Sequence, residues 1–235
     1  MRFAVSVYYW LIFASTILVG FCVATLLWIV STPFDRQRRA NHWLNCAWAH
    51  QYLRVWPGWR VRVAGREKLP RGACVIVANH QSMADIIAVL GLRHPYKFVS
   101  KASLFKLPVV GWAMRMARYI PVERGRPHST AQMMEECRRW IREGMGVLIF
   151  PEGTYSTGPL LPFKPGAFVL AVEEKVPLVP VFIDGTPQLV HEDGPWLSPR
   201  ARVTVTVQEP ISGATDAEAL SAQVRALYES LKRSA

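Results

Sequence analysis

From Phe3 to Phe34 the chain carries no charged side chain, and its polar positions are Ser6, Ser15, Thr16, Thr25, Ser31 and Thr32. A helix needs about 20 apolar residues to cross a bilayer core, so this run is long enough. A cleaved leader would have an apolar stretch of about 7–15 residues and a small-x-small site. This run is longer and ends in Pro33-Phe34-Asp35-Arg36, which predicts a retained anchor. Residues 36–57 change character. Leu44, Trp48, Tyr52 and Val55 recur at helical spacing, with Arg38, Arg39, Asn45 and Arg54 among the polar positions. Trp43, Trp48, Trp56 and Trp59 crowd this region. Tryptophan favours the headgroup level of a bilayer, so a basic, Trp-rich helix reads as lying in the interface plane. The same pattern suits a helix packed on the protein's own core, and one helix can do both on different faces.

After Pro57 short apolar runs alternate with helical stretches. Strands are predicted at Trp59–Val63, Ala73–Ala78, Lys97–Ser100, Tyr119–Val122, Val147–Phe150, Leu178–Ile183 and Arg202–Val207, mostly rich in Val and Ile. Helices are predicted at about 83–92, 108–117, 128–143, 166–175 and 216–233. The last has Asp216 and Glu218 at its start and Lys232 and Arg233 at its end, the charge order that suits a helix dipole. Residues 184–200 read as an irregular surface loop. The expected architecture is α/β: a mixed, largely parallel sheet with helices on both faces, preceded by a membrane-binding helical region. The division falls into an N-terminal anchor and interfacial helix at 1–57 and a catalytic-type domain at 58–235. Sites in such sheets gather at the carboxyl ends of strands.

Composition narrows the class. Hydrophobic residues make up 51% of the 235 and charged residues 19%, which excludes a disordered chain. Mean hydropathy is +0.13, high for a soluble enzyme and low for a bundle of spans. Cys22, Cys46, Cys74 and Cys137 form no C-x-x-C pair, so zinc-ribbon and thioredoxin-type readings lack support, and four reduced thiols are expected. The net charge of +11 is placed unevenly: residues 1–72 hold ten basic against two acidic side chains, and residues 127–235 hold ten against thirteen. A basic excess beside an apolar terminus points to an anionic membrane surface or anionic substrates. No nucleic-acid recognition motif accompanies it. Arg36, Arg38 and Arg39 behind the apolar run, against Arg2 before it, place the body on the cytoplasmic side of the cell membrane, the inner membrane in a bacterium.

Two motifs carry chemistry. Residues 79–85 read N-H-Q-S-M-A-D, directly after a strand. A histidine with a nearby carboxylate is the working part of a general base, because the carboxylate sets the tautomer and stabilises the imidazolium. The spacing of His80 and Asp85 alone is weak, and a surface histidine beside a helix-capping Asp gives the same letters. Ser82 raises a Ser-His-Asp reading, but no G-x-S-x-G elbow exposes it. Residues 150–156 read F-P-E-G-T-Y-S after the strand at 147–150, where a glycine permits close backbone approach to a ligand. A plain polar turn is the alternative. Lys101 and Arg124 each follow a strand, and Lys164 sits between two prolines before a helix. Alone each is a solvated charge; together they resemble an anion-binding cluster.

In order and spacing these blocks resemble the 1-acyl-sn-glycerol-3-phosphate acyltransferase family of the glycerolipid acyltransferases. That family carries N-H-x-S-x-x-D, then a strand ending in Arg, then F-P-E-G-T-R-S, then a V-P-[IVL]-[VIP]-P strand. The counterparts are residues 79–85, Arg124, residues 150–156 and V-P-L-V-P at 176–180. The resemblance runs from about residue 60 to 210. It implies a membrane enzyme that moves an acyl group from acyl-CoA or acyl-carrier protein to the free hydroxyl of 1-acyl-glycerol-3-phosphate, giving phosphatidic acid in phospholipid biosynthesis. His80, oriented by Asp85, would deprotonate that hydroxyl, with no acyl-enzyme. Lys101, Arg124, Glu152, Gly153, Thr154 and Lys164 would hold the acceptor's phosphate and shape the site. The resemblance implies no metal and no bound cofactor, and the chain has no H-E-x-x-H, Walker or G-x-G-x-x-G sequence. The implied partners are a lysophospholipid, the acyl donor and membrane lipids.

One position departs. The family has Arg after Glu-Gly-Thr, where this chain has Tyr155. Arg offers phosphate a planar, charged fork; Tyr offers one neutral hydroxyl. The departure bears on the acceptor's headgroup, and leaves a lyso-ornithine lipid or another lysolipid as the rival acceptor. A catalytically silent binding protein of the same fold is the rival of another class.

Overall fold

The computed structural model describes residues 1–190 and 196–234. Seven strands form one sheet: β1 (Trp59–Ala64), β2 (Val75–Ala78), β3 (Tyr96–Lys101), β4 (Ile120–Val122), β5 (Gly146–Ile149), β6 (Leu178–Asp184) and β7 (Ala201–Val207). Their order is β1-β7-β6-β2-β5-β3-β4, and every neighbouring pair is parallel except β6 with β7. The mixed, largely parallel sheet expected from the strand pattern is therefore present. β2, β3, β4, β5 and β6 all point the same way, so their carboxyl ends line one edge.

Both faces are covered because the central strands are apolar on both. Along β2, Ile76 and Ala78 pack with the layer of helices α3 (Asp85–Leu90) and α4 (Val110–Met116), while Val75 and Val77 face α5 (Pro127–Arg142), α6 (Gly166–Glu173) and α7 (Ala217–Ser234). In α7, Leu220, Val224 and Tyr228 are buried at four-residue spacing. The Tyr228 hydroxyl donates to the Val77 carbonyl at 2.8 Å and accepts from the Val181 amide at 3.2 Å, which pins α7 across two strands. Of the predicted loop at 184–200, residues 191–195 lie outside the described residues; Thr186–Gln188 form a single 3-10 turn, and Val190 bridges Leu197.

The N-terminal helix α1 (Arg2–Ser31) is long and apolar enough to cross a membrane. It is packed along its whole length on the body. Phe3 meets Trp196, Tyr9 meets Trp59, Phe13 meets Tyr52, and Phe21 meets Trp112. Ser6 accepts a 2.8 Å bond from the Leu197 amide. At Gly20 a Cβ would fall 2.2 Å from the Trp48 ring, so only glycine lets α1 approach α2 (Arg39–Tyr52) there. The Asn41 amide donates to the Ala24 carbonyl at 3.0 Å. The outward side stays apolar and bare, with Leu11, Leu18, Val19, Leu26, Ile29 and Val30 all exposed.

The α1–α2 turn is tied down by an unusual group. Lys97 of β3 is fully buried, and its ammonium donates to the Gln37 carbonyl at 2.6 Å and the Ala117 carbonyl at 2.7 Å, 4.4 Å from the Trp140 ring. Three of the four clustered tryptophans also bond to protein: Trp48 to the Tyr52 hydroxyl, Trp56 to the Pro199 carbonyl and Trp59 to the Ser198 carbonyl. Trp43 alone of the four is exposed. Much of the tryptophan signal therefore comes from packing of α2 and β1 on the body.

Candidate active site

β2 ends at Ala78, and the next side chain, Asn79, completes the sheet beyond it. Its amide donates to the Ile183 carbonyl at 2.8 Å and its carbonyl accepts from the Ile183 amide at 2.7 Å, so Asn79 pairs with β6 as a strand residue would. This fixes where His80 leaves the sheet. His80 Nδ1 donates to Asp85 Oδ2 at 2.7 Å; a carboxylate only accepts, so the proton on this ring sits on Nδ1. Nε2 bonds no other side chain among the described residues and remains the basic nitrogen.

Asp85 opens α3 and is fully buried. Its Oδ2 also accepts the amides of Gln81 at 2.6 Å and Ser82 at 2.9 Å, and its Oδ1 accepts the Thr186 hydroxyl at 2.5 Å. Four donors hold one carboxylate. The ring itself is clamped from the sides. Phe150 stacks on it at 4.1 Å and 11°, and Tyr155 stands edge-on at 5.6 Å.

The motif after β5 closes over this pair. Glu152 Oε1 accepts the His80 amide at 2.8 Å and Oε2 accepts the Leu161 amide at 2.9 Å, while the Ser156 amide donates to the His80 carbonyl at 3.0 Å. Glu152 is buried, and that burial raises its pKa, opposed by the two amides. Its bonds are all to backbone: it braces two loops and does not face outward. Gly153 has φ +72°, and a Cβ there would lie 2.8 Å from Cε and Nζ of Lys164, so glycine admits that lysine over the loop. Thr154 and Lys164 are exposed. Lys101 ends β3 and Arg124 follows β4; both are exposed with no carboxylate partner among the described residues.

The structure therefore brings His80, Asp85, Glu152, Gly153 and Lys164 together, with Lys101 and Arg124 farther along the same edge. β4 is three strands from β2, roughly 14 Å at the usual spacing. Ser82 Oγ accepts the Ala84 amide at 3.2 Å and makes no bond to His80, against a Ser-His-Asp arrangement. Asn79, Phe150 and Thr186 received no role from the sequence. Asn79 and Phe150 lie inside the two motifs and were open to notice; Thr186 sits in a Gly-Thr-Pro turn that carries no such signal. Chemically, a buried imidazole with one nitrogen fixed and the other basic is equipped to take a proton from a hydroxyl.

A family model described as Acyltransferase matches residues 60–184. The chain is 37% identical over 203 residues to the chloroplastic 1-acyl-sn-glycerol-3-phosphate acyltransferase BAT2 of Brassica napus, covering 83% of this chain and 58% of that protein. It is 32% identical over 181 residues to the 1-acyl-sn-glycerol-3-phosphate acyltransferase of Pseudomonas aeruginosa, covering 74% of this chain and 68% of that one. The chain spans between 54% and 58% of the length of the plant and algal relatives it matches. In fold it is similar to the crystal structure of the 1-acyl-sn-glycerophosphate (LPA) acyltransferase PlsC from Thermotoga maritima, with a TM-score of 0.77, 24% identity, and coverage of 97% of this chain and 94% of that one.

Proposed function

The chain belongs to the 1-acyl-sn-glycerol-3-phosphate acyltransferase family, and from that membership and the site's geometry we propose that it acylates the free hydroxyl of 1-acyl-glycerol-3-phosphate to form phosphatidic acid. The observation that carries the reading is the 2.7 Å bond from His80 Nδ1 to Asp85, which leaves Nε2 as the base.

Nε2 takes the hydroxyl proton as the oxygen attacks the thioester carbonyl of acyl-CoA or acyl-carrier protein. Asp85 stabilises the imidazolium that forms. Collapse of the tetrahedral intermediate breaks the C–S bond, and the imidazolium returns its proton to the leaving thiolate. The products are the ester and a free thiol, and His80 is restored. Lys164, Lys101 and Arg124 supply the positive charge for the acceptor's phosphate. Glu152 and Gly153 shape the loop that brings Lys164 there, and Thr154 lines it.

The outward apolar side of α1 seats the body on a membrane, and its basic flank keeps the catalytic domain on the cytoplasmic side, where thioester donors are made. Tyr155, where the family has Arg, favours one second reading: an acceptor other than a phosphomonoester, such as a lyso-ornithine lipid. The test is an assay of the full chain in detergent against lysophosphatidate, lysophosphatidylcholine and a lyso-ornithine lipid, each with acyl-CoA and with acyl-carrier protein. Phosphatidic acid formation that disappears in His80→Ala supports the proposal. No acylation of lysophosphatidate with either donor overturns it.

A further inference from the structure

Between α1 and α2 lies a cavity of about 470 Å³, away from His80 and from every residue assigned above to the reaction. Its lining includes Ile12 and Thr16 of α1 and Trp48 of α2. His50, Arg54 and Arg93 also line it. Arg54, Arg66 and Arg93 surround the His50 ring closely enough that their charges, after its burial, lower its pKa.

The cluster carries no counter-charge among the described residues. Arg138, Arg139, Arg142 and Arg225 elsewhere on the body all pair with glutamates, at 2.8, 2.6, 2.7 and 3.0 Å. Among the described residues no carboxylate pairs with Arg54, Arg66 or Arg93. Arg93 follows α3 with φ +51°, the left-handed position where helices usually place glycine, as Arg118 and Lys175 do after α4 and α6.

The surroundings name the ligand. Thr16 lies one turn from Val19, and Leu11 adjoins Ile12; both Leu11 and Val19 are on the exposed apolar side of α1. A cavity lined by cations beside the exposed apolar side of α1 matches an anionic phospholipid, with the phosphate inside and the acyl chain along α1. We propose that this α1–α2 cavity is a second lipid site, distinct from the acceptor site, that holds one anionic phospholipid through Arg54 and Arg93. The proposal rests on α1 being the membrane-contacting helix.

The test uses the full chain in detergent, equilibrated with equal phosphatidylcholine and phosphatidylglycerol, repurified and analysed for retained lipid by mass spectrometry. Wild type should keep about one phosphatidylglycerol per chain and little phosphatidylcholine. Arg54→Ala with Arg93→Gly should bind it at least about tenfold more weakly, the worth of one charge-assisted bond. Arg93→Gly alone relieves the left-handed strain, so it should fold at least as well as wild type and still lose affinity. Arg60→Ala with Arg62→Ala removes the same charge from exposed positions on β1 and should change retention little. Equal retention of both lipids, equal loss in the two double variants, or displacement of the lipid by excess inorganic phosphate overturns the proposal. A chain that floats with vesicles but retains no phosphatidylglycerol sinks the site alone. One that never associates with vesicles sinks the membrane reading with it.

Discussion

Thr186 and Asp85, 101 positions apart in the chain, are joined by a 2.5 Å hydrogen bond from the hydroxyl to Oδ1. The bond links the segment after β6 to the first turn of α3, and it occupies the carboxylate oxygen that His80 does not use. Thr186 is fully buried, so removing the hydroxyl leaves that oxygen short of a donor. Thr186→Val should lower kcat by about 10- to 100-fold, the scale of one hydrogen bond to a charged group, with a smaller change in KM. Thr186→Ser keeps the donor and should recover most of the loss. Equal kcat in Val and Ser variants would show that Thr186 acts only by filling space.

The two members of the base pair should fail differently. His80→Ala is expected to lower turnover by on the order of 10²–10⁴ and leave the melting temperature close to wild type. Asp85→Ala strips a partner from His80, Thr186 and two amides at once. Each buried donor left without a partner costs about 1–3 kcal/mol, so this variant should lose stability as well as turnover. Thermal melts beside steady-state rates check the difference; an Asp85→Ala protein as stable as His80→Ala contradicts the bonding pattern.

Under the proposed function, acceptor choice turns on Arg124 and Tyr155. If the acceptor is a phosphomonoester, Arg124→Ala should reduce kcat/KM for lysophosphatidate by about ten- to a hundred-fold and affect the thioester donor much less. Tyr155 is exposed and edge-on to His80, so Tyr155→Arg has room and should keep or improve use of lysophosphatidate. Should wild type prefer an uncharged lysolipid and Arg124→Ala change nothing, these cations do not hold the acceptor.

Lys97 gives stability a pH signature. Burial lowers its amine from 10.5 to about 7. Between these values the unfolded chain binds a proton that the folded chain has lost, so this group makes folding more favourable as pH rises from about 7 to 10.5. Below 7 the buried ammonium is present and its desolvation opposes folding. Lys97→Met should flatten the rise in melting temperature across that window, measured in detergent. A variant with the wild-type pH slope would place the origin of the slope elsewhere.

Much of the sheet was legible because its strands are short Val- and Ile-rich runs; all seven fall within two residues of where the pattern puts them. Lys97 shows the limit: read as the polar start of a strand, it is a fully buried cation whose partners, Gln37 and Ala117, come from distant elements. The inner stripe of α1 was hidden for a different reason. A run apolar on every side has no periodicity to mark which face meets protein, and Gly20 gains meaning only against Trp48. At the site, the motifs carried His80, Asp85 and the loop at 150–156 because their parts are adjacent in sequence. Thr186 was not legible, since nothing local distinguishes a turn threonine from a hydroxyl aimed at a carboxylate across the sheet.

The packing of α1 also sets an order of events during synthesis. α1 is complete at Ser31, but Leu197 and Trp196, which it touches near its start, emerge more than 160 residues later. At ribosomal speeds of about 5–20 residues per second, that is roughly ten to thirty seconds. Throughout that interval the first turns of α1 lack those two partners, whereas α2, which meets the helix at Gly20 and Ala24, follows directly in the chain. β7 likewise arrives late to pair with β1 and complete the sheet.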